Sequence, residues 1–161
     1  MNKVEIYEFL NNKTIKYEVD EHIAVYNMED LERVNLKYPK CHAKNLFVRD
    51  DKRQSYYLIC VKGDKRVNLK EFRKKNNTRP LTFCSSEELS GLLSLIPGAV
   101  TPLGLLNDSE CKVSLFLDKE LLENDVIGIH PNDNTATLWI KADDLINIIK
   151  EHGNSVYIIE I

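Results

Sequence analysis

Strand-forming and helix-forming stretches alternate irregularly along this sequence of 161 residues, and the strand-forming stretches are the more numerous. Apolar residues at alternating positions or in short runs predict eight strands: residues 14–19, 43–48, 55–61, 81–83, 112–117, 126–129, 135–140 and 156–161. Helical spacing or a helix-start signal predicts five helices: residues 4–10, a helix from Asn27, 69–75, 85–93 and 142–152. This mixture predicts a single α+β domain, 1–161, in which helices surround one mixed, strongly curved, barrel-like sheet.

Specific residues mark the ends of several predicted helices. Asn27 is a good N-cap, and the acidic residues that follow it in the first helical turn suit the helix dipole. Ser85 and Glu88 have the spacing of a capping box, in which each side chain bonds the backbone of the other residue. Gly153 follows the last predicted helix, and glycine commonly ends a helix because it adopts positive φ easily.

Apolar segments and cysteines argue against membrane, secreted and zinc-binding proteins. No apolar run approaches the ~20 residues that cross a bilayer, and residues 1–10 lack the apolar core of a signal peptide. The four cysteines, Cys41, Cys60, Cys84 and Cys111, form no C-x-x-C pair, so a zinc site is not expected. These features predict a cytoplasmic protein with reduced cysteines and no membrane partner.

Charge is distributed unevenly along the chain. Residues 33–79, which we call the basic segment, contain 15 Lys and Arg and 4 Asp and Glu, a net charge of +11, whereas the remaining residues carry −14. Such a concentration of positive charge is what binding to a nucleic-acid backbone requires. Alternatively, the acidic segments fold back among these residues and neutralise them.

Two segments contain residues suited to binding an ester or a phosphate. Lys44 lies at the start of an apolar strand, where it is suited to anchor a phosphate or to polarise a carbonyl. The alternative is an edge lysine that discourages aggregation. Residues 96–105 form an uncharged loop with two glycines and two prolines. Its backbone N–H groups are suited to hold a developing oxyanion, and a rigid surface turn is the alternative.

A third segment, residues 128–137, contains His130 at the end of a predicted strand, followed by one proline and five polar residues. Histidine is the usual acid or base near neutral pH, and a hairpin turn rich in Asn and Asp is the alternative. No serine or cysteine nucleophile has a base nearby in the sequence. The adjacent Cys41 and His42 should point to opposite faces of a strand. No phosphate-binding P-loop or dinucleotide-binding fingerprint is present.

Taken together and in order, these segments resemble the YbaK/prolyl-tRNA-synthetase-associated domain family of aminoacyl-tRNA deacylases. The similarity rests on Lys44 in AKNLFVRD, the G-x-x-x-P loop 98–102, the histidine motif 130–135, the basic stretch 65–81 and the early stretch 21–26. It covers nearly the whole chain. Because no synthetase catalytic domain is present, the resemblance implies a free-standing editing protein that acts in trans.

The resemblance also implies roles for individual residues. Lys44 would hold the terminal adenosine or its phosphate, Gly98 would contact the aminoacyl group, and His130 would orient the ligand or define the pocket. A positioned water, helped by the ribose hydroxyl of the substrate, would then complete hydrolysis without a protein nucleophile, a metal or another cofactor. Strand alternation should turn Asn45 away from the face of Lys44 unless a β-bulge intervenes. The further substrate contacts implied are Tyr26, Asn45, Ala99, Val100, Thr101, Pro102, Asn134 and Thr135.

The implied function is hydrolysis of mischarged Ala-tRNA(Pro), because the histidine motif is closer to the alanine-specific members of the family. A prolyl site distinguishes small apolar side chains by only ~1–3 kcal/mol, so a second, hydrolytic site corrects its errors. The alternatives are a Cys-tRNA(Pro) deacylase and a catalytically silent tRNA-binding or synthetase-associated module. The expected partners are mischarged tRNA(Pro) and, transiently, prolyl-tRNA synthetase or an elongation factor, with no membrane and no DNA.

Overall fold

The strands lie in two separate open sheets in the computed structural model, which describes all 161 residues. The strands are β1 (Tyr17–Glu21), β2 (Ala43–Asp50), β3 (Tyr56–Lys62), β4 (Leu81–Phe83), β5 (Val113–Asp118), β6 (Ile127–Ile129), β7 (Ala136–Ile140) and β8 (Val156–Ile159). The α-helices are α1 (Lys3–Asn12), α2 (Met28–Glu32), α3 (Leu69–Asn76), α4 (Ser86–Leu93) and α5 (Ala142–His152). Short 3-10 helices span Pro39–Cys41, Pro102–Asn107 and Lys119–Glu123. None of the helices has the length and apolar character that a bilayer span needs.

The strand order corrects the prediction of one strongly curved, barrel-like sheet, which is wrong. Five strands form one sheet in the order β4-β2-β3-β5-β8, and three form another in the order β1-β7-β6. The sheets meet at one parallel bridge between His42 and Gly128. A barrel needs continuous pairing around its ring, which this single bridge beside the short strand β6 does not supply.

The α+β class and the mixed pairing are confirmed. β2 runs antiparallel to β3 and β4, whereas β3, β5 and β8 are parallel to one another. The helix ends also follow their predicted signals. The Asn27 side chain caps α2, and Ser85 and Glu88 form the capping box of α4. Gly153 ends α5 with a φ of 118°.

Two hydrophobic clusters lie on opposite faces of the five-stranded sheet. The larger cluster includes Phe47 and Leu115 and packs this sheet against the smaller sheet and helices α1, α4 and α5. The smaller cluster includes Val48 and Phe72 and lies beneath α3. Because alternate residues of a strand point to opposite faces, Phe47 and its neighbour Val48 belong to different clusters.

Candidate active site

The bridge between the two sheets brings the predicted lysine and histidine to the same level. His42 pairs with Gly128 in a parallel arrangement, so two residues further along each chain Lys44 and His130 lie at matching heights. β4 pairs with β2 only at residues 48–50, which leaves the first part of β2 as a free edge. A cleft of about 290 Å³ opens there, and residues of α2 and the loop before it complete its wall.

Six of the residues predicted from the sequence line this cleft: Tyr26, Lys44, Asn45, Gly98, Val100 and His130. Six further residues of the lining were not predicted: Val25, Asn27, Met28, Leu31, His42 and Ala43. Met28 and Leu31 follow the Asn27 cap at helical spacing, so the signal that finds them is the amphipathic face of α2.

Lys44 carries a positive charge that no carboxylate compensates. Its Nζ donates a hydrogen bond of 2.8 Å to the backbone carbonyl of Lys65, and no acidic side chain lies within ion-pair distance. The side chain of Lys65, in contrast to that of Lys44, is paired with carboxylates: its Nζ lies 2.7 Å from Asp118 and 3.1 Å from Glu120. The charge of Lys44 is therefore available to a phosphate or to an ester carbonyl.

Asn45 faces the opposite side of the sheet from Lys44, as strand alternation predicts. β2 and β3 pair without interruption from Ala43 opposite Lys62 to Arg49 opposite Tyr56, so no bulge intervenes. Both Lys44 and Asn45 nevertheless line the cleft, because it lies along the free edge of β2. The Oδ1 atom of Asn45 is buried and has no hydrogen-bond partner. A buried acceptor of this kind is costly unless a ligand or water satisfies it.

Gly98 is required by both its backbone conformation and its surroundings. Its φ is +90°, a value that residues with a side chain rarely adopt. A Cβ atom at this position would lie 3.1 Å from Cδ1 and 3.3 Å from Cα of Tyr26. The N–H groups of Gly98 and Val100 make no hydrogen bond within the protein, whereas the N–H of Ala99 bonds the Ile96 carbonyl at 3.1 Å. The loop thus presents unsatisfied donors beside the cleft.

His130 is buried and neutral, with one ring nitrogen engaged by the protein. Its Nδ1 lies 2.8 Å from the Ala136 carbonyl, which can only accept, so Nδ1 carries the proton and Nε2 keeps its lone pair. Burial lowers the pKa of His130 below its usual value. Thr101 donates a hydrogen bond of 2.6 Å from Oγ1 to the His130 carbonyl, which ties the glycine loop to the histidine.

His42 was not predicted as part of the site. It is only 6% exposed, and neither ring nitrogen has a hydrogen-bond partner. Burial lowers its pKa to about 4, so the ring is neutral at pH 7. Its ring centroid lies 6.1 Å from that of His130, which in turn lies 6.5 Å from that of His22. The available signal was a histidine directly before the strand that carries Lys44.

The other predicted contacts do not line the cleft, and some of them support residues that do. Ala99 and Thr101 are fully buried, and Pro102 begins a 3-10 helix. Asn134 donates a hydrogen bond of 2.9 Å from Nδ2 to the carbonyl of Val25, which lines the cleft. Thr135 bonds Asp133 and accepts a hydrogen bond from Lys3, away from the cleft.

The acidic part of the chain neutralises only part of the basic segment. Five of its 15 basic side chains form ion pairs: Arg33, Lys37, Arg49, Lys65 and Arg79. The other ten have no carboxylate partner, and four of these are exposed on α3: Lys70, Arg73, Lys74 and Lys75. The helix thus presents a concentrated positive surface.

Comparison with known proteins places the chain in a family. The profile of the aminoacyl-tRNA editing domain matches residues 22–148. The prolyl-tRNA editing protein ProX of Acetoanaerobium sticklandii is 36% identical over 152 residues, which cover 94% of this chain and 93% of that protein. Prolyl-tRNA synthetase associated domain-containing protein 1 of Danio rerio is 32% identical over 149 residues, covering 91% of this chain and 80% of that protein.

A solved structure has the same fold. It is a candidate trans-editing enzyme for prolyl-tRNA synthetase, with a TM-score of 0.71 and 20% identity, and the match covers 100% of this chain and 98% of that one. Together, the fold and the site define a small α+β protein with a cleft at the junction of two sheets. The chain belongs to the aminoacyl-tRNA editing domain family. The resemblance inferred from the sequence is thereby confirmed, and with it the assignment to the aminoacyl-tRNA hydrolases.

Proposed function

We propose that this protein is a trans-editing deacylase that hydrolyses mischarged Ala-tRNA(Pro). The observation that carries the proposal is the convergence of three features on one cleft of about 290 Å³. These are the uncompensated charge of Lys44, the unsatisfied N–H groups of the Gly98 loop and the neutral ring of His130. Each supplies a different interaction that an aminoacyl ester needs.

Lys44 is assigned to the terminal adenosine or its phosphate, because a lysine without a carboxylate partner binds anions strongly. The N–H groups of Gly98 and Val100 are assigned to the ester carbonyl, where they would stabilise the oxyanion that forms when water attacks. Two donors that point at the same oxygen would suffice for this role.

We assign to His130 the role of positioning the water or hydroxyl group that takes part in hydrolysis. Its Nε2 lone pair would accept a hydrogen bond from the attacking water or from the ribose hydroxyl of the substrate. An aminoacyl ester is already labile, so holding water and ester together supplies much of the rate without a protein nucleophile. The protons balance because water adds its hydroxyl to the carbonyl carbon and its proton to the departing ribose oxygen.

The side-chain selectivity follows from the lining. Val25, Met28, Leu31 and Val100 present apolar atoms to the cleft, which suits a methyl group. Proline differs in its ring, and the backbone of Tyr26 packed against Gly98 restricts the room beside the ester. Cysteine is close to alanine in size, so the rates of hydrolysis of the cysteinyl and alanyl esters are compared in the assay below.

The proposal extends to partners and location. The whole chain, 1–161, would act as one editing domain on mischarged tRNA(Pro) in the cytoplasm, with transient contacts to prolyl-tRNA synthetase or an elongation factor. The names of the relatives from Acetoanaerobium sticklandii and Danio rerio, which refer to prolyl-tRNA editing and to a synthetase-associated domain, support these partners.

The test is a deacylation assay with a panel of tRNA(Pro) carrying alanine, cysteine, serine or proline. We expect rapid loss of alanine and retention of proline. Faster hydrolysis of the cysteinyl ester would replace alanine with cysteine as the substrate. Binding of tRNA without hydrolysis of any ester would instead identify a catalytically silent module and overturn the proposal.

A further inference from the structure

A second groove lies on the face of the five-stranded sheet that also carries Lys44. It has a volume of about 490 Å³, and its floor is made by one aromatic ring from each of three neighbouring strands. Tyr57 of β3 meets Phe116 of β5 edge to face, with ring centroids 5.5 Å apart. Tyr157 of β8 stacks on Phe116 at 5.0 Å. We call this feature the aromatic groove.

The rim of the aromatic groove is polar and contains no carboxylate. None of its lining residues is Asp or Glu, and Lys112, the one charged residue among them, forms an ion pair with Glu110 at 2.6 Å. Amides and hydroxyls supply donors and acceptors around the rings: Gln54, Ser55, Asn76, Asn77, Thr78 and Ser114. Such a combination of aromatic floor and neutral polar rim matches a nucleobase, which has a π-face and hydrogen-bonding edges.

Positive charge beside the groove favours a nucleic acid over a protein as its occupant. Lys74 and Lys75 directly precede Asn76, the last residue of α3, and both are exposed without an ion pair. Lys52 and Arg53 lie just before Gln54 and are likewise exposed without a carboxylate partner. The ion pair between Arg79 and Asp51 joins this turn to the segment after α3, so the four positive side chains lie on the same side of the groove, where they would meet the phosphates beside a stacked base.

Helix α3 covers the sheet between the aromatic groove and Lys44. Lys44 pairs across the sheet with Val61, and Tyr57 lies four residues away on the same face of β3, about 13 Å along the strand. Val61 and the intervening Ile59 are fully buried and pack with Phe72 of α3. The aromatic groove is therefore a binding surface separate from the cleft.

We propose that the aromatic groove stacks unpaired bases of an RNA strand on Tyr57 and Tyr157. This inference rests on the proposed function for the identity of the RNA. Tyr157 is the ring open to a base, because 48% of its surface is exposed, whereas Phe116 is buried and supports it. The groove would thus recognise the unpaired strand without reading a particular sequence.

The test uses two RNA hairpins without an attached amino acid. They have the same stem, but one carries an unpaired 3′ strand and the other is blunt. Binding is measured by fluorescence anisotropy. We expect the wild-type protein to prefer the hairpin with the unpaired strand. Tyr157→Ala should weaken binding of that hairpin about fivefold or more and leave the blunt hairpin unchanged, because stacking on an aromatic ring contributes substantially per base. Tyr157→Phe should retain the preference, since its ring still stacks.

Phe83→Ala is the matched control, because Phe83 is also an exposed aromatic residue but does not line the aromatic groove. A fluorescent adenine analogue in the unpaired strand should be quenched on binding to wild type and Phe83→Ala, and less so on binding to Tyr157→Ala. The proposal would be overturned if Tyr157→Ala lost the same affinity for both hairpins. Unchanged affinity and unchanged quenching in Tyr157→Ala would also overturn it. Because the RNA carries no amino acid, no ester can be hydrolysed during the binding measurement. The result is therefore independent of whether the proposed deacylation occurs.

Discussion

Lys44 is the residue on which the proposed chemistry depends most directly. Its Nζ has one protein partner, the Lys65 carbonyl, so removing the side chain costs the fold about one hydrogen bond, ~1 kcal/mol. We expect Lys44→Ala to reduce kcat/KM for Ala-tRNA(Pro) by about a hundredfold or more, the usual loss when an oriented electrostatic group is removed. Single-turnover deacylation and thermal unfolding of both proteins check this expectation.

Lys62→Ala provides the matched control for Lys44→Ala. Lys62 lies on the neighbouring strand opposite Ala43, is also partly buried, and does not line the cleft. The control should keep its single-turnover rate at saturating enzyme. Near-normal hydrolysis by a folded Lys44→Ala protein would refute the assignment of Lys44 to the substrate.

His42 makes stability depend on pH. Its pKa is about 4 in the folded protein, and in the unfolded chain it returns to its ordinary value of about 6.5. Between these values the unfolded chain binds the proton more tightly, so acidification favours unfolding, by about 3 kcal/mol in total for this group. Above pH 6.5 the ring is neutral in both states and contributes no pH dependence.

We therefore expect wild-type protein to lose more stability than His42→Leu between pH 7 and pH 4.5. Urea unfolding of both proteins at the two pH values measures the difference. His130 has a lowered pKa for the same reason and contributes in the same direction, but it is present in both proteins and cancels in the comparison. Parallel loss of stability in the two proteins would show that His42 titrates normally.

The site residues illustrate what sequence can and cannot locate. Lys44, Gly98 and His130 were selected together because each belongs to a recognisable motif in the right order, and all three line one cleft. Asn134 was implied as a substrate contact by the resemblance, and in the structure its side chain donates a hydrogen bond to the Val25 carbonyl. Proximity in sequence does not tell which side chains of a turn face a cavity. His42 was considered only as a base for Cys41, because no local pattern reveals its bridge to the distant Gly128.

Elements are predictable to the extent that their signals are local. The caps of α2 and α4 were recognised because the residues that form them are three positions apart. The start of β1 was placed too early, since Thr14 has a φ of 59° in a turn and the strand begins at Tyr17. The division into two sheets depends on the pairing of β1 with the distant β7, and no local pattern reports such a partner.

The loop before the second 3-10 helix offers a test at the same scale. Gly98 has positive φ and lies against the Tyr26 backbone, so Gly98→Ala should lower stability by ~1 kcal/mol or more as well as slow hydrolysis. Gly91→Ala is the control, because Gly91 lies in α4 with nothing within 4 Å of an added Cβ. It should stabilise the protein by ~0.5–1 kcal/mol.

Urea unfolding and single-turnover deacylation well below the melting temperature separate the two effects of Gly98→Ala. A normal rate in the folded variant would contradict contact between the loop and the aminoacyl group. Unchanged stability would contradict the strained geometry. The positive φ of Gly98 adds a stability cost to the loss of activity that contact with the aminoacyl group implies.

The whole molecule combines the cleft proposed to bind the ester, the aromatic groove and the basic segment on one chain. Two thirds of the basic side chains in residues 33–79 lack a carboxylate partner, so neutralisation by the acidic remainder is incomplete. The net charge of −3 conceals this surface. Association with RNA is governed by local charge near the contact, since distant charges are screened within about 10 Å at ordinary salt.

The affinity for tRNA without an attached amino acid should therefore fall steeply as the salt concentration rises. Each phosphate contact adds about 0.7–0.9 to the slope of log affinity against log salt concentration. We expect Lys74→Gln to lower the slope by about that amount, because Lys74 is exposed on α3 without an ion pair. Lys141→Gln should leave it unchanged, since Lys141 is equally exposed but lies outside the basic segment. Affinities measured over a salt series for the three proteins decide the question. A flat response, or equal slopes for wild type and Lys74→Gln, would mean that α3 does not face the RNA backbone.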